Sequence, residues 1–325
     1  MERYPFMIDL AVTRRCNLRC IYCTSRDDSS TVIDVNKFKK YLRKIRKPIK
    51  IWVTGGEPLL VRFVHGFREI IGTDINAKLD YLGMSTNGTL INRDIARKLV
   101  TNYDLILISI HGRKELHERI TQVKGSYEKS LDALKLLIKT KENSSSDIKI
   151  GVSTVLMSES IERIKDFFDY LIGLGIDVIL FKPMLYDPTD ELYIKHGLKP
   201  EHATLIKECY DYLKSKNKLV PWFNDYYLHR MINYVKRIPE PPPFCGYGEY
   251  FVYISPEGKI YPCCRIKPRY VQSYTIEDEV PKEVLLRRLS EIRQIKIDSC
   301  SFCMHGYNSQ IVYERYIKVN TNVTS

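Results

Sequence analysis

The sequence contains no apolar run long enough to cross a membrane. Its apolar stretches, such as Leu105 to Ile110, fall far short of the roughly 20 residues that a spanning helix needs. Charged residues also interrupt the first residues, where a signal peptide requires an apolar core. No internal repeat is visible, and 44% apolar with 28% charged residues is a globular composition. These absences exclude membrane-spanning, disordered and fibrous classes, and we expect a soluble, cytoplasmic protein.

No dense basic tract is present either, although the chain carries a net charge of +12. Its 51 Lys and Arg residues are spread along the whole length, unlike a nucleic-acid-binding arm. No RNA-binding module with interleaved aromatic and basic residues can be recognised. The charge therefore indicates a basic solvated surface that could attract an acidic partner.

The cysteines do not form the even-numbered framework that disulfide-rich proteins use. Nine are present, and eight of them fall in two groups, which indicates metal ligation or catalysis. The first group is Cys16, Cys20 and Cys23. The second group is Cys245, Cys263, Cys264, Cys300 and Cys303. Cys209 stands alone in a predicted helix, where we expect a core residue.

Strands and helices are predicted to alternate through the first two thirds of the chain. Short segments rich in Ile, Leu and Val predict buried parallel strands at residues 6–12, 49–53, 79–85, 105–110, 148–156 and 177–181. Helical patterns lie at residues 35–46, 62–71, 91–100, 126–141, 160–171 and 200–216. Asn92 and Ser160 stand where a helix wants a capping residue. Six successive units of this kind predict an α/β fold, a partial (β/α)6 TIM-like barrel.

A proline-rich segment at residues 239–243 cannot continue a helix or a central strand. We therefore predict a barrel domain at residues 1–217, a linker at 218–243 and a small C-terminal domain at 244–325. In that last domain, two strands flank Ser255-Pro256-Glu257-Gly258, which is a hairpin signal. A helix is predicted at residues 282–293, before the last cysteine pair.

The first cysteine group has the spacing CxxxCxxC and directly follows the first predicted strand. Three thiolates on one tight loop can hold three irons of a cubane cluster, which normally takes four cysteines. The fourth iron then keeps a position open for a substrate or cofactor. A zinc site is the alternative, although zinc sites usually pair two cysteines with two later ligands.

With Tyr22 as the aromatic residue before Cys23, this segment resembles the CxxxCxΦC motif of the radical S-adenosylmethionine (SAM) superfamily. The resemblance implies a [4Fe-4S] cluster on Cys16, Cys20 and Cys23 whose unique iron chelates SAM. One electron from the cluster would cleave SAM to a 5′-deoxyadenosyl radical, which abstracts hydrogen from a substrate. A strong one-electron donor is then required, and the basic surface would suit an acidic flavodoxin or ferredoxin.

Three further elements resemble motifs of the same superfamily, each at the end of a predicted strand. Gly55, Gly56 and Glu57 form a GGEP-like loop, which implies contact with the SAM amino group. Ser85 and Asn87 belong to an S/T-N-G-like element, and Ser109 to an S-x-D-G-like element in which His111 replaces aspartate. The resemblance implies that these residues bind SAM, with Tyr22 and Val155 as further cofactor contacts.

The second cysteine group resembles the shorter, twitch form of the C-terminal SPASM/twitch domains of radical SAM enzymes. Four thiolates, Cys245, Cys263, Cys300 and Cys303, can fully ligate one auxiliary cluster, which we expect to be a [4Fe-4S] cluster. Cys264 is then a neighbour without a ligand role. An all-cysteine zinc site is the open alternative.

The resemblance implies an enzyme, a radical SAM oxidoreductase or maturase acting on a peptide or small molecule. A dehydrogenation, cross-link or maturation reaction would suit an auxiliary cluster that takes up an electron. An RNA-modifying radical SAM enzyme and a non-catalytic zinc scaffold are the alternatives. The sequence identifies no catalytic acid or base; the candidates near a substrate are His111, His117, Tyr186, Asp187 and Asp190.

Overall fold

The computed structural model of the chain describes residues 6–27, 29–185, 190–243, 246, 250–261, 274–277 and 310–314. The second cysteine group and the helix predicted at residues 282–293 lie outside these ranges. Two compact units can be distinguished, Met1–Val152 with Tyr247–Ile292, and Ser153–Gly246 with Arg293–Ser325. The domain boundaries drawn from the sequence stay a prediction, since much of the predicted C-terminal domain is not described.

The first unit is built on a mostly parallel sheet. In chain order its strands are β1 (Phe6–Ala11), β2 (Ile49–Thr54), β3 (Leu79–Thr86), β4 (Leu105–Ser109) and the start of β5 (Lys149–Leu156). Strand β6 (Val178–Pro183) belongs to the second unit, and β7 (Phe251–Ile254), β8 (Lys259–Tyr261) and β9 (Tyr274–Thr275) return to the first. The order across the sheet is β5-β4-β3-β2-β1-β7-β8-β9. The predicted α/β class is therefore confirmed.

The sheet contains both parallel and antiparallel strand pairs. Strand β1 runs parallel to β2 on one side and to β7 on the other, and β2, β3 and β4 are also mutually parallel neighbours. Strands β7, β8 and β9 pair antiparallel, so the predicted hairpin around Ser255-Pro256-Glu257-Gly258 is confirmed. Because parallel strands end at one edge of a sheet, the loops that follow β1 to β4 lie at the same edge.

Strand β2 buries one of its faces more completely than the other. Along β2, the apolar Ile49, Ile51 and Val53 are fully buried, whereas Lys50 and Trp52 between them are only half-buried. This alternation follows from the two-residue period of a strand. The fully buried face supplies the apolar core of the unit.

The helices lie where apolar residues recur at helical spacing, with four additions. The helices are α1 (Val35–Lys44), α2 (Phe67–Ile71), α3 (Thr73–Asn76), α4 (Arg93–Asn102), α5 (Lys114–Thr121), α6 (Ser126–Ser144), α7 (Ile164–Gly173), α8 (Glu191–His196), α9 (Ala203–Ser215) and α10 (Asp225–Val235). Sequence reasoning missed α3, α5, α8 and α10. The predicted helices at residues 62–71 and 160–171 each begin with a 3-10 turn, which is Arg62–Gly66 in the first and Ile161–Arg163 in the second.

One of the two predicted capping residues acts as a cap. The Asn92 side chain accepts from the backbone N–H of Ile95 at 2.9 Å and so caps α4, as predicted. Ser160 does not cap α7, since its hydroxyl bonds instead to the backbone of Met157 and closes the turn after β5. Among the helices of the described ranges, none is long and apolar enough to cross a membrane.

Candidate functional site

The loop that carries the first cysteine group follows β1 and is held by backbone hydrogen bonds to the end of α5. The N–H of Arg19 donates to the carbonyl of Thr121 at 3.0 Å, and the N–H of Ile21 donates to that of Ile120 at 2.9 Å. The last carbonyls of a helix have no partner within the helix. They are therefore available to orient the cysteine loop.

The glycine pair after β2 lies directly against the same loop. The N–H of Gly56 donates to the carbonyl of Thr13 at 2.6 Å, and the N–H of Glu57 donates to that of Arg15 at 2.7 Å. A Cβ at Gly56 would lie 2.0 Å from the Arg15 oxygen, and one at Gly55 would lie 2.5 Å from the Thr13 oxygen. Gly55 also has a φ of +147°, which disfavours other residues. Backbone contact between the two loops therefore requires both glycines.

Glu57 joins the β2 loop to the end of β3. Its Oε1 accepts from Thr86 Oγ1 at 2.6 Å and from the N–H of Leu59 at 3.0 Å, and its Oε2 accepts from the N–H of Asn87 at 2.8 Å. The side chain is almost fully buried. Burial raises the pKa of the Glu57 carboxyl, while the three donors oppose that rise.

Asn87 reaches from the end of β3 to the cysteine loop. Its Nδ2 donates to Asn17 Oδ1 at 2.8 Å and lies 3.9 Å from the sulfur of Cys16. The backbone carbonyl of Asn87 accepts from Ser130 Oγ at 2.7 Å, which ties this turn to α6. The loops after β1, β2 and β3 thus form one hydrogen-bonded group.

The three thiols of this loop are free and half-buried. Burial, together with the nearby Cys23 and Cys16 thiolates, raises the pKa of Cys20 to about 12, and burial also raises the pKa of Cys16. Thiols in such surroundings form thiolates when a cationic metal group offsets their charges. The N–H of Leu18 lies 3.4 Å from the Cys16 sulfur and can donate to it.

The donor set of this loop suits the implied cluster. Cys16, Cys20 and Cys23 offer three soft thiolate ligands, which Fe–S clusters take one to each iron. The choice between a cluster and a zinc ion at these thiols stays a prediction.

Tyr22, within the cysteine loop, contacts His111, the first of two buried histidines that follow β4. Its hydroxyl lies 2.7 Å from His111 Nε2, and the two rings are perpendicular with centroids 5.1 Å apart. The His111 ring stacks on His117 at 5.5 Å, and burial lowers the pKa of His117 to about 4. Sequence reasoning did not find this contact; the histidine in place of aspartate at position 111 was the available signal.

The remaining predicted cofactor residues are less closely connected to the loop. The Ser85 hydroxyl accepts from Trp52 Nε1 at 3.2 Å, and Ser109 is the half-buried last residue of β4. Val155 is buried in β5 and belongs to the second unit. Their contacts with SAM stay a prediction.

Other predicted residues are structural or fall outside the description. Asp190 caps α8 by accepting from the N–H of Leu192 at 2.9 Å, and Cys209 is a buried residue of α9. Tyr186, Asp187 and the proposed auxiliary ligands Cys245, Cys263, Cys300 and Cys303 lie outside the described residues, as does Cys264.

The sequence matches known proteins over most of its length. It is 30% identical over 263 residues to an uncharacterized protein of Methanocaldococcus jannaschii, covering 78% of this chain and 83% of the relative. It is 25% identical over 329 residues to the AdoMet-dependent heme synthase of Methanosarcina barkeri, covering 93% and 89%. It is 25% identical over 291 residues to a cysteine-type anaerobic sulfatase-maturating enzyme of Clostridium novyi, covering 79% and 72%.

Solved structures resemble the fold as a whole. Native anSMEcpe with bound AdoMet superposes with a TM-score of 0.68 at 19% identity, over 98% of this chain and 100% of that one. Streptococcus suis SuiB bound to S-adenosylmethionine gives a TM-score of 0.69 at 16% identity, over 96% and 75%. At such identities the likeness shows the fold alone. The profile of the radical SAM superfamily matches residues 10–171, which include the cysteine loop and the glycine pair, and the chain belongs to this superfamily of enzymes.

Proposed function

We propose that this enzyme binds a [4Fe-4S] cluster through Cys16, Cys20 and Cys23 and uses it to cleave SAM reductively. The observation that carries the proposal is the hydrogen-bonded group that the cysteine loop forms with the residues after β2 and β3 and with the end of α5. The bound cluster would supply one electron to SAM, and the chemistry that follows belongs to that cofactor.

The residues of the chain then have separate tasks. The three thiolates hold three irons and leave one for SAM, and Gly55, Gly56, Glu57, Ser85, Asn87 and Ser109 surround the SAM pocket. Asn87 and the N–H of Leu18 can donate to the Cys16 sulfur, and such donors to a ligand sulfur help set a cluster's reduction potential. Tyr22 and Val155 complete the proposed cofactor contacts.

The proposed substrate is a peptide. In support, the relatives include the sulfatase-maturating enzyme, a PqqA peptide cyclase and a protein for biosynthesis of the bacteriocin subtilosin. Structural neighbours include anSMEcpe with a bound Cp18Cys peptide. A small molecule of the heme-precursor type is the second candidate. Among these relatives, the alignment with the heme synthase covers the largest share of this chain, 93%, and the largest share of the relative, 89%.

The finer architecture belongs to the same proposal. We expect the parallel strands to curve into a partial (β/α)6 barrel, and Cys245, Cys263, Cys300 and Cys303 to ligate one auxiliary cluster in a twitch-like domain. That cluster would accept the electron left after hydrogen abstraction, so that the net reaction is a two-electron oxidation. Clusters and free thiols suit a reducing compartment, the cytoplasm. Cys263→Ala should lose the auxiliary iron and substrate turnover, whereas Cys264→Ala should lose neither.

The substrate class can be tested by isotope transfer. Deuterated candidate peptides, for which neighbouring genes would be a guide, and deuterated tetrapyrroles would each be incubated with the reconstituted enzyme, SAM and dithionite. Deuterium in 5′-deoxyadenosine from a peptide supports the leading proposal, and deuterium only from a tetrapyrrole supports the second candidate. Transfer from an RNA substrate would overturn both in favour of RNA modification.

The proposed electron donor is a small acidic flavodoxin or ferredoxin, consistent with the net charge of +12. Charge complementarity accelerates association at low salt and is screened at high salt. Turnover with such a donor should therefore fall steeply with ionic strength, while dithionite-driven turnover should not. Equal salt dependence with both reductants would contradict this partner.

A further inference from the structure

We propose that His111 is a positioning residue that holds the Tyr22 ring, and with it the cysteine loop, in the geometry that binds SAM. The inference rests on the proposed function. Neither residue's role in this contact follows from the sequence motif, which specifies an aromatic residue at position 22 and aspartate where His111 stands.

The contact between the two side chains is short and shielded from water. Tyr22 OH and His111 Nε2 are 2.7 Å apart, and His111 is 1% exposed. A hydrogen bond in low-dielectric surroundings is stronger than one in water, so this bond contributes to holding both side chains in place. The bond therefore restricts rotation of the Tyr22 ring about both of its side-chain torsions.

His111 is itself held from the other side. Its ring stacks on His117 with an interplanar angle of 17°, and its backbone N–H donates to His117 Nδ1 at 3.3 Å. His117 contacts the edge of Tyr127 on α6, with centroids 5.9 Å apart. The rings of half-buried Tyr22 and of buried His111, His117 and Tyr127 thus form a continuous column that runs from the cysteine loop to α6.

The column meets the loop between two of its three thiols. Tyr22 lies between Cys20 and Cys23, and the N–H of Cys23 donates to the carbonyl of Cys20 at 3.0 Å in the same turn. A fixed Tyr22 side chain therefore limits the backbone of the turn that presents two of the three thiols. Such preorganisation lowers the entropic cost of binding.

Four variants test this role. His111→Phe keeps a ring but removes the hydrogen bond, Tyr22→Phe removes it from the other side, and the double variant removes both partners. His111→Gln can place an amide group near the position of Nε2 and serves as the conservative rescue. Tyr103→Phe is the matched control, because Tyr103 is a buried tyrosine whose hydroxyl donates to the Val64 carbonyl at 2.7 Å, away from the loop.

Two measurements separate positioning from general stability. The first is amide hydrogen exchange of residues 16–23 in the cluster-free chain, and the second is the SAM dissociation constant of the reconstituted protein at equal iron content. We expect faster exchange in the loop and a SAM dissociation constant raised about three- to tenfold, the range for loss of one such hydrogen bond. The double variant should show no further increase, and His111→Gln should approach the wild type.

Several outcomes would overturn the proposal. These are additive effects of the two single substitutions, equal effects of His111→Gln and His111→Phe, unchanged exchange in the loop, or an equal rise in the dissociation constant for Tyr103→Phe. If the wild type binds SAM and the variants bind it as tightly, the positioning role alone fails. If the reconstituted wild type does not bind SAM, the proposed function fails with it.

Discussion

Arg14 donates two hydrogen bonds to the carboxylate of Glu257, a residue 243 positions further along the chain, from Nε at 2.9 Å and from Nη2 at 3.2 Å. Arg14 lies two residues before Cys16, and Glu257 lies in the turn between β7 and β8. The pair therefore ties the cysteine loop to the hairpin. Burial raises the pKa of Glu257, yet hydrogen bonds from Arg14 and Ser255 outweigh it and lower that pKa to about 2.

A double-mutant cycle with Arg14→Gln and Glu257→Gln should give a coupling of about 1 kcal/mol, since both side chains are about one-third exposed and solvent screens the pair. Urea unfolding of the cluster-free chain at pH 7 measures it. Because the folded pKa of Glu257 is lowered, the coupling should be present above the unfolded pKa of 4.5 and should be lost as the pH falls towards 2. The exposed pair of Lys207 and Asp211 provides a control with smaller coupling. Zero coupling at pH 7 for Arg14 and Glu257 would refute the tie.

Glu57→Gln should weaken both the fold and SAM binding. An amide group places an N–H where a carboxylate oxygen now accepts from Asn87, or from Leu59 and Thr86. An unsatisfied buried donor costs about 1–3 kcal/mol, which urea unfolding would detect. The SAM dissociation constant should rise while the cluster spectrum stays unchanged. Glu142→Gln, at an exposed position of α6, is the control, and a wild-type SAM affinity for Glu57→Gln would leave Glu57 with a structural role only.

Gly56→Ala should displace the cysteine loop, because the new Cβ would lie 2.0 Å from the Arg15 carbonyl oxygen. We expect lower cluster occupancy after reconstitution and a lower free energy of unfolding. Gly173→Ala is the matched control. Gly173 is the last residue of α7, no atom beyond its chain neighbours and the backbone of that helix lies within 4 Å of its Cβ position, and alanine there should stabilise the helix by roughly 0.5–1 kcal/mol. Equal iron content and stability in both variants would contradict the close approach of the two loops.

The buried His117 predicts a pH dependence of stability. Its pKa is 6.5 in the unfolded chain and about 4 in the folded chain, chiefly because of burial, which the charge of Glu128 partly offsets. The unfolded chain therefore binds more protons between these values. The free energy of unfolding should fall by up to about 3 kcal/mol as the pH drops from 6.5 to 4. His117→Phe should flatten this part of the profile, and an unchanged slope in that variant would assign it to other groups.

The strands could be predicted because burial leaves a direct mark on the sequence. Ile49, Ile51 and Val53 alternate with half-buried residues in β2, and the observed strand extends only one residue beyond the predicted segment. The α/β class followed from the alternation of such strands with helical patterns, and the hairpin followed from the turn residues Ser255-Pro256-Glu257-Gly258. The motif glycines were also visible, because backbone contact excludes every larger residue there.

The elements that hold the cysteine loop were harder to predict from the sequence. Helix α5 has few apolar residues, and the carbonyls of Ile120 and Thr121 that bind the loop belong to the backbone. Backbone contacts depend on position and not on side-chain type, so no pattern of residue types predicts them. Helix α10 did offer a recognisable signal, because Asn224 before it is a capping residue. The many tyrosines of this helix and the proline-rich segment after it gave no clear helical pattern.

Cys16, Cys20 and Cys23 are proposed to hold the cluster that cleaves SAM. Replacing all three with alanine should remove about half of the bound iron if both clusters are cubanes, and dithionite with SAM should then yield no 5′-deoxyadenosine. Cys209→Ala, which removes a buried thiol of α9, should keep both iron and product. If the triple variant still formed 5′-deoxyadenosine at the rate of Cys209→Ala, the assignment of the cluster to this loop would be wrong.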